Sequence, residues 1–193
     1  MYCLNLGCGN NQFEVFTFTV DGIEMRYPCL NLDIDPKCHP DMVCNIEEGL
    51  PFKDNSIEVV YAKDFLEHIH PDKTIFVVEE IWRVLKDKAL FFHITPSTDG
   101  RGAFQDPTHR SFWNANTWIY FTNDMWRDYL GTKAKFEIIS LDNVVHNEEL
   151  KLIYVVGSMR VVKKNENEFC NNCLYNNGYC LDKYPDCGYG KEG

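Results

Sequence analysis

The amino-terminal segment contains a glycine turn and an acidic residue at the spacing of a ligand-binding crevice. Gly7 and Gly9 follow the short apolar run at residues 1–6, and glycines let the backbone turn sharply while a ligand approaches it closely. Asp33 closes the next apolar run, 26 residues after Gly7, where a carboxylate can accept both hydroxyls of a ribose. A dinucleotide fingerprint needs a third glycine where this chain has Gln12, which disfavours NAD and FAD. The alternative that Asp33 only starts a turn stays open.

Asn45 and Ile46 follow the short apolar segment at residues 41–44 and suit a flat ring with a polar edge. A side-chain amide can pair with the edge of adenine, because it carries both donors and an acceptor. An isoleucine can pack on the face of the same ring. The pair therefore extends the candidate nucleoside site.

The run Asp106-Pro107-Thr108-His109-Arg110 carries the side chains best suited to activating a substrate. It follows an apolar strand segment, so it should reach over the carboxyl ends of the sheet. His109 is a candidate general base because imidazole titrates near neutrality. Asp106 would orient it, and Arg110 would hold an anionic substrate. The alternative that His109 only bonds a loop carbonyl stays open, and His68 and His70 are weaker candidates.

Four cysteines lie close together near the carboxyl end, in a polar segment rich in asparagine. Such a segment cannot build an apolar core, so a metal would supply its folding energy. Four thiolates suit tetrahedral Zn²⁺, which is the favoured metal. An iron–sulfur cluster, which also takes four thiolates, and a tail whose cysteines are free or disulfide-bonded are the alternatives. The candidate ligands are Cys170, Cys173, Cys180 and Cys187.

Hydrophobic patterning predicts an α/β protein with a Rossmann-like, mostly parallel sheet, an antiparallel edge strand and a small Cys-rich C-terminal knuckle. In place of the usual first helix, the runs at 15–20 and 23–27 around Asp21-Gly22 indicate a hairpin or an irregular crossover. Helices are predicted at 64–70, 72–86 and 118–130, the last broken near Asn123. Strands are predicted at 1–6, 30–34, 41–44, 57–62, 90–94, 136–141 and 150–162.

Aromatic side chains crowd the region around residues 106–110, which we call the substrate-side run. They would wall a pocket or, as we favour, pack in the core. These residues are Phe104, Phe112, Trp113, Trp118, Tyr120 and Phe121.

The composition is that of a globular protein, with 193 residues, a net charge of −10 and 45% hydrophobic residues. Nucleic-acid binders usually gather Lys and Arg on one face, so the acidic balance argues against a nucleic-acid partner. No stretch reaches the roughly 18 apolar residues of a membrane span, and no signal peptide precedes the first strand. We therefore expect a cytoplasmic protein without a membrane partner and leave its oligomeric state open.

Four segments together resemble the class I S-adenosylmethionine-dependent methyltransferases, and most closely the small type 11-like proteins of bacteria and phages. The segments are LNLGCGNN (4–11), NLDIDP (31–36), DMVCNIEEGLPFKDNSIEVVYAKDFLEHI (41–69) and EIWRVLKDKALFFHITP (80–96). The resemblance implies a methyltransferase domain at residues 1–164, a Cys-rich tail at 165–193, and S-adenosylmethionine as cofactor.

The resemblance also implies a role for each matched position. Gly7, Cys8 and Gly9 would line the methionine part, Asp33 would hold the ribose, and Ile34 would lie against the adenine. The remaining cofactor residues would be Asn5, Asn45, Ile46, Lys63 and Asp64. Asn5 stands where the family often has an acid, and the missing first helix is a second departure.

The leading prediction is transfer of a methyl group to a small-molecule or glycan-like acceptor. The first alternative is a methyltransferase acting on a macromolecule docked by the Cys-rich tail. The second is a non-catalytic S-adenosylmethionine-binding protein, and an NAD-dependent oxidoreductase is the least favoured.

Overall fold

The computed structural model describes residues 2–20 and 22–163. Within these ranges eight strands form one sheet. The strands are β1 (Cys3–Leu6), β2 (Val15–Val20), β3 (Ile23–Asp33), β4 (Met42–Val43), β5 (Ile57–Lys63), β6 (Leu85–Pro96), β7 (Phe136–Asn147) and β8 (Leu152–Val161). The helices are α1 (Thr74–Val84), α2 (Gly102–Gln105), α3 (Ile119–Thr122) and α4 (Asp124–Leu130), with 3₁₀ turns at Pro36–Cys38, Ile46–Glu48, Leu66–His68, Pro71–Lys73 and Ala115–Trp118.

The strand order is β2-β3-β1-β5-β6-β8-β7, and β4 pairs with β3. The pairs β1–β3, β1–β5, β3–β4 and β5–β6 are parallel, whereas β8 is antiparallel to both β6 and β7. All four residues of β1 are buried, as expected of a strand between two parallel neighbours. The predicted Rossmann-like sheet with an antiparallel edge is therefore confirmed.

A hairpin occupies the place of the usual first helix. β2 pairs antiparallel with the first half of β3, and the second half of β3 pairs parallel with β1. Phe16 and Phe18 fold over the sheet, where their rings lie 5.0 Å from Tyr61 and 4.8 Å from Phe92. The hairpin thereby covers, with aromatic side chains, a face that a helix would otherwise bury.

The opposite face of the sheet holds the larger core. Val78, Ile81 and Val84 of α1 are fully buried there, together with the aromatic residues Trp113 and Trp118. Core packing of the aromatic segment is thus confirmed for these two and for Phe121, whereas Phe104 and Phe112 stack on each other at the surface. None of the helices within residues 2–20 and 22–163 is long and apolar enough to cross a bilayer.

Two predicted helices have different bounds. Residues 64–70 form only the 3₁₀ turn at Leu66–His68, because Asp64 takes a left-handed φ of 49° and Pro71 follows. The helix predicted at 72–86 ends at Val84, since Leu85 is already extended and begins β6. The predicted break near Asn123 is confirmed, because the Asn123 side chain accepts the N–H groups that start α4.

Candidate functional site

The glycine turn and Asp33 are in direct contact. β1 ends at Leu6, and Gly7 and Gly9 follow with φ of 61° and 47°. The Gly9 N–H donates to Asp33 Oδ2 over 2.8 Å, while the Asp35 N–H donates to Asp33 Oδ1 over 2.9 Å. The end of β3 is thus held beside the end of β1, as parallel neighbours in one sheet require.

A cavity of about 380 Å³ opens at these strand ends. Six of the predicted cofactor residues line it, and Ile34 exposes 63% of its surface beside them. An exposed isoleucine next to a carboxylate offers an apolar surface for a flat ring. The predicted residues on the cavity are Gly7, Asp33, Ile34, Asn45, Ile46 and Asp64, and the sequence analysis missed Cys44, Glu47, Phe65 and Ile69.

The Asn45 side chain forms hydrogen bonds that hold the local backbone at the cavity. Its Oδ1 accepts the Glu47 N–H over 3.2 Å, and its Nδ2 donates to Glu48 Oε1 over 2.8 Å. The amide therefore caps the 3₁₀ turn that places Ile46 against the cavity.

Four predicted cofactor residues do not line this cavity, namely Asn5, Cys8, Gly9 and Lys63. Asn5 is buried behind the turn, where its Nδ2 donates to Asn11 O over 2.8 Å and to Asn31 Oδ1 over 3.0 Å. Cys8 is buried, and Lys63 is exposed at the end of β5. Gly9 lies next to the cavity through its bond to Asp33, and cofactor contact by these four residues stays a prediction. The bonds of Asn5 support the glycine turn.

Gly7 packs tightly against the next strand end. A Cβ added there would lie 2.5 Å from Cδ2 of Phe65, which is closer than real contacts allow. At Gly9 a Cβ would meet nothing within 4 Å. The two glycines share a left-handed backbone and differ in their surroundings.

We predict that Gly7→Ala destabilises the protein more than Gly9→Ala. Both variants carry the strain of a left-handed alanine, about 1–2 kcal/mol, and only Gly7→Ala adds an overlap, worth about 1–3 kcal/mol. Urea unfolding of the two variants measures the difference. Equal losses would show that Phe65 moves aside freely.

The substrate-side run closes one end of the cavity. Thr108 and Arg110 line it together with His68. The Thr108 hydroxyl and N–H both donate to Asp106 Oδ1, over 2.7 and 2.8 Å, and these bonds lower the pKa of the Asp106 carboxyl. His109 Nδ1 lies 3.0 Å from Ala103 O, so the loop-carbonyl bond considered for His109 is present. Its Nε2 lies 4.0 Å from Asp106 Oδ2, which is beyond a hydrogen bond.

Glu67 was missed by the sequence analysis. Its side chain lies within the turn at Leu66–His68 and is 2% exposed. Neither carboxyl oxygen has a hydrogen-bond partner among the described residues. Burial raises the pKa of this carboxyl to about 8. Glu67, His68 and His109 each place one ligand-type atom within 4.8 Å of the other two.

The predicted metal ligands Cys170, Cys173, Cys180 and Cys187 lie outside the described residues, as does the boundary between 164 and 165. Zinc or an iron–sulfur cluster in the tail therefore stays a prediction.

Residues 4–93 match a family model described as a methyltransferase domain. A comparison with curated protein sequences gave no significant match. Among solved structures, the chain is similar to an S-adenosylmethionine-dependent methyltransferase from Methanosarcina mazei, at 14% identity over 84% of this chain and 93% of that chain, with a TM-score of 0.59.

Two further structures are similar. One is the 1,6-didemethyltoxoflavin-N1-methyltransferase of Burkholderia thailandensis with 1,6-didemethyltoxoflavin and S-adenosylhomocysteine bound, at 17% identity over 84% of this chain and 71% of that chain, with a TM-score of 0.55. The other is the cyclase SpnF, at 15% identity over 84% and 75%, with a TM-score of 0.58. At these identities the likeness establishes the fold, and activity is argued from the site.

Proposed function

We propose that this chain, whose residues 4–93 match the methyltransferase domain model, is a class I S-adenosylmethionine-dependent methyltransferase that methylates a small-molecule or glycan-like acceptor. The observation that carries the proposal is the contact between the Gly9 N–H and Asp33 beside an open cavity. That contact supports a single ligand that would touch both the glycine turn and the acidic end of β3.

The residues present fit the cofactor. Asp33 offers carboxylate oxygens to the ribose hydroxyls, and Ile34 and Ile46 offer apolar surface to the adenine. Gly7 lines the cavity without a side chain, which leaves room for the methionine part. When bound, S-adenosylmethionine supplies an electrophilic methyl group on a sulfonium.

Methyl transfer depends mainly on alignment in a site with little water. The acceptor forms a bond to the methyl carbon, and the carbon–sulfur bond breaks with its electron pair on sulfur. An acceptor that carries a proton must also lose it. We propose that His109, supported by Asp106, is the residue on which this activation depends.

Arg110 supports an anionic acceptor. It is the only Lys or Arg among the described residues that line the cavity, and the chain as a whole has a net charge of −10. A guanidinium can bind a carboxylate or phosphate through two parallel hydrogen bonds. The similarity to a methyltransferase bound to a small heterocycle also favours a small acceptor.

Two alternatives stay proposals. The first is a non-catalytic protein that binds S-adenosylmethionine, and a similar fold does occur in a protein named for another reaction, a cyclase. A macromolecular acceptor docked by the Cys-rich tail, with or without zinc, rests on the cysteine spacing alone. The acceptor therefore has to be found by experiment.

Calorimetry with S-adenosylmethionine, S-adenosylhomocysteine and NADH tests the cofactor. We expect both sulfur compounds to bind and NADH not to bind. A screen of anionic small molecules with radiolabelled S-adenosylmethionine then identifies the acceptor. Binding of neither sulfur compound would remove the methyltransferase and the non-catalytic alternative together, whereas binding without transfer would favour the latter.

We predict that His109→Ala lowers turnover by about 10²–10⁴-fold, the range of activation by a positioned side chain. Its cofactor affinity should stay within about threefold of wild type, because His109 is not on the cavity surface beside Asp33. Turnover with the identified acceptor and calorimetry with S-adenosylhomocysteine measure the two effects. The matched control is His39→Asn, at an exposed position. Unchanged turnover in His109→Ala would exclude the proposed role.

A further inference from the structure

Both oxygens of the buried Glu67 carboxyl are sealed from solvent, and neither has a hydrogen-bond partner among the described residues. Burying an unpaired carboxylate is costly, and such groups in proteins are protonated, paired or bound to a metal. The acidic side chains of Asp64 and Asp106 lie near Glu67 and repel a negative charge there, so the surroundings favour an added positive charge.

The two neighbouring histidines have their Nδ1 atoms engaged. His109 Nδ1 faces the Ala103 carbonyl at 3.0 Å, and a carbonyl oxygen can only accept, so this nitrogen carries the hydrogen. The Thr108 hydroxyl donates to Asp106, so it accepts from His68 Nδ1, which lies 3.3 Å away. Both rings therefore keep a lone pair on Nε2.

This arrangement is the usual one around a metal-binding imidazole. A histidine that binds a metal donates its other N–H to a carbonyl, a carboxylate or a hydroxyl that is itself held. Here Ala103 and the Thr108–Asp106 pair supply those partners. One ligand-type atom from each of Glu67, His68 and His109 lies within 4.8 Å of the other two.

We propose that Glu67, His68 and His109 bind a divalent cation at the acceptor end of the cavity. Two imidazoles and a carboxylate suit Zn²⁺ and related transition metals, and three protein ligands leave a position open. Ligand atoms around such an ion lie about 3.3 Å apart, for bonds of about 2.0–2.1 Å. The ligand atoms, now within 4.8 Å of one another, would therefore have to approach by at most about 1.5 Å.

The open position would face the acceptor, because His68 lines the cavity beside Thr108 and Arg110. This part of the inference rests on the proposed function. An acceptor hydroxyl bound there would have a lowered pKa and would lose its proton to water. The acceptor class is then a molecule with a hydroxyl for the metal and an anionic group for Arg110. The dependence of turnover on His109 would arise through the metal.

Titration of the full-length protein with Co²⁺ alone tests the site. Cobalt bound by histidine and carboxylate shows weak visible bands. Cobalt bound by the tail cysteines adds intense thiolate charge-transfer absorption, so the spectrum shows which of the two sites holds the metal. We expect one equivalent with weak bands. Glu67→Gln and His68→Gln should each weaken this binding at least about tenfold, and the exposed Glu24→Gln should not.

The outcomes are distinct. Cobalt binding that shows only thiolate absorption, or weak-band binding unchanged in both Glu67→Gln and His68→Gln, would overturn the proposal. His68 is more exposed than Glu67, so its variant keeps the test valid if Glu67→Gln fails to fold. Calorimetry with S-adenosylmethionine on the same preparation is independent. Cobalt binding without cofactor binding would remove the proposed function and keep the metal site.

Discussion

Replacing Asp33 with alanine should weaken S-adenosylmethionine binding by about 100-fold or more. A hydrogen bond to a charged group contributes about 1.5–3 kcal/mol, and the carboxylate would accept two ribose hydroxyls. Loss of about 3 kcal/mol corresponds to roughly 150-fold in affinity. The variant also removes the acceptor of the Gly9 N–H, which loosens the turn that borders the ligand.

Calorimetry with S-adenosylhomocysteine measures this effect. Asp33→Asn keeps one side-chain oxygen and should fall between wild type and Asp33→Ala. The matched control is Asp35→Asn, since Asp35 is exposed and caps the turn at Pro36–Cys38 without lining the cavity. If Asp33→Ala binds within threefold of wild type, the adenosyl group lies elsewhere.

Replacing Trp118 with alanine should lower the free energy of unfolding by about 3–5 kcal/mol, the range for a buried large aromatic residue. Trp118 is fully buried. Its ring lies 4.4 Å from His93, 5.1 Å from Trp113 and 5.8 Å from Phe91, as measured between centroids. Truncation would leave a large cavity between the sheet and the helices that follow β6.

Urea unfolding of Trp118→Ala against Trp126→Ala measures this contribution. Trp126 is half-buried and contacts only surface-side rings such as Tyr120 among the described aromatic residues, so its loss should cost about 1–2 kcal/mol. A similar cost for both tryptophans would mean that the core collapses around the missing ring. In that case the aromatic segment would be less rigid than its packing indicates.

The sheet could be predicted because each strand carries its own signal. The β-branched and aromatic run before Asp21-Gly22 indicated a hairpin, and it forms from Val15 onward. The apolar run around Val59 is typical of a strand that is buried on both faces. In β5 both Val59 and its neighbour Val60 are buried. The helix predicted at residues 64–70 was wrong, because the local pattern and the tertiary structure disagree there. Residues 64–70 have helical spacing, but Asp64 turns left-handed as the chain leaves β5.

The site was harder to predict than the sheet. Gly7 and Asp33 could be placed because parallel strands end at one edge. The direction of the Asn5 side chain could not, because it depends on Asn11 and Asn31 meeting behind the turn. The sequence around Glu67 did not indicate a functional role either. An acid beside a histidine in a short turn looks like a surface cap, and only the packing of the later loop encloses it.

The hairpin between β2 and β3 has an electrostatic consequence for the nucleotide end of the site. In most dinucleotide-type folds the glycine turn opens a helix, whose dipole places about half a positive charge at the ligand. In the part of this chain that the structure describes, the turn leads into extended β2. Affinity here must then come from hydrogen bonding and apolar contact, and it should change little as ionic strength rises.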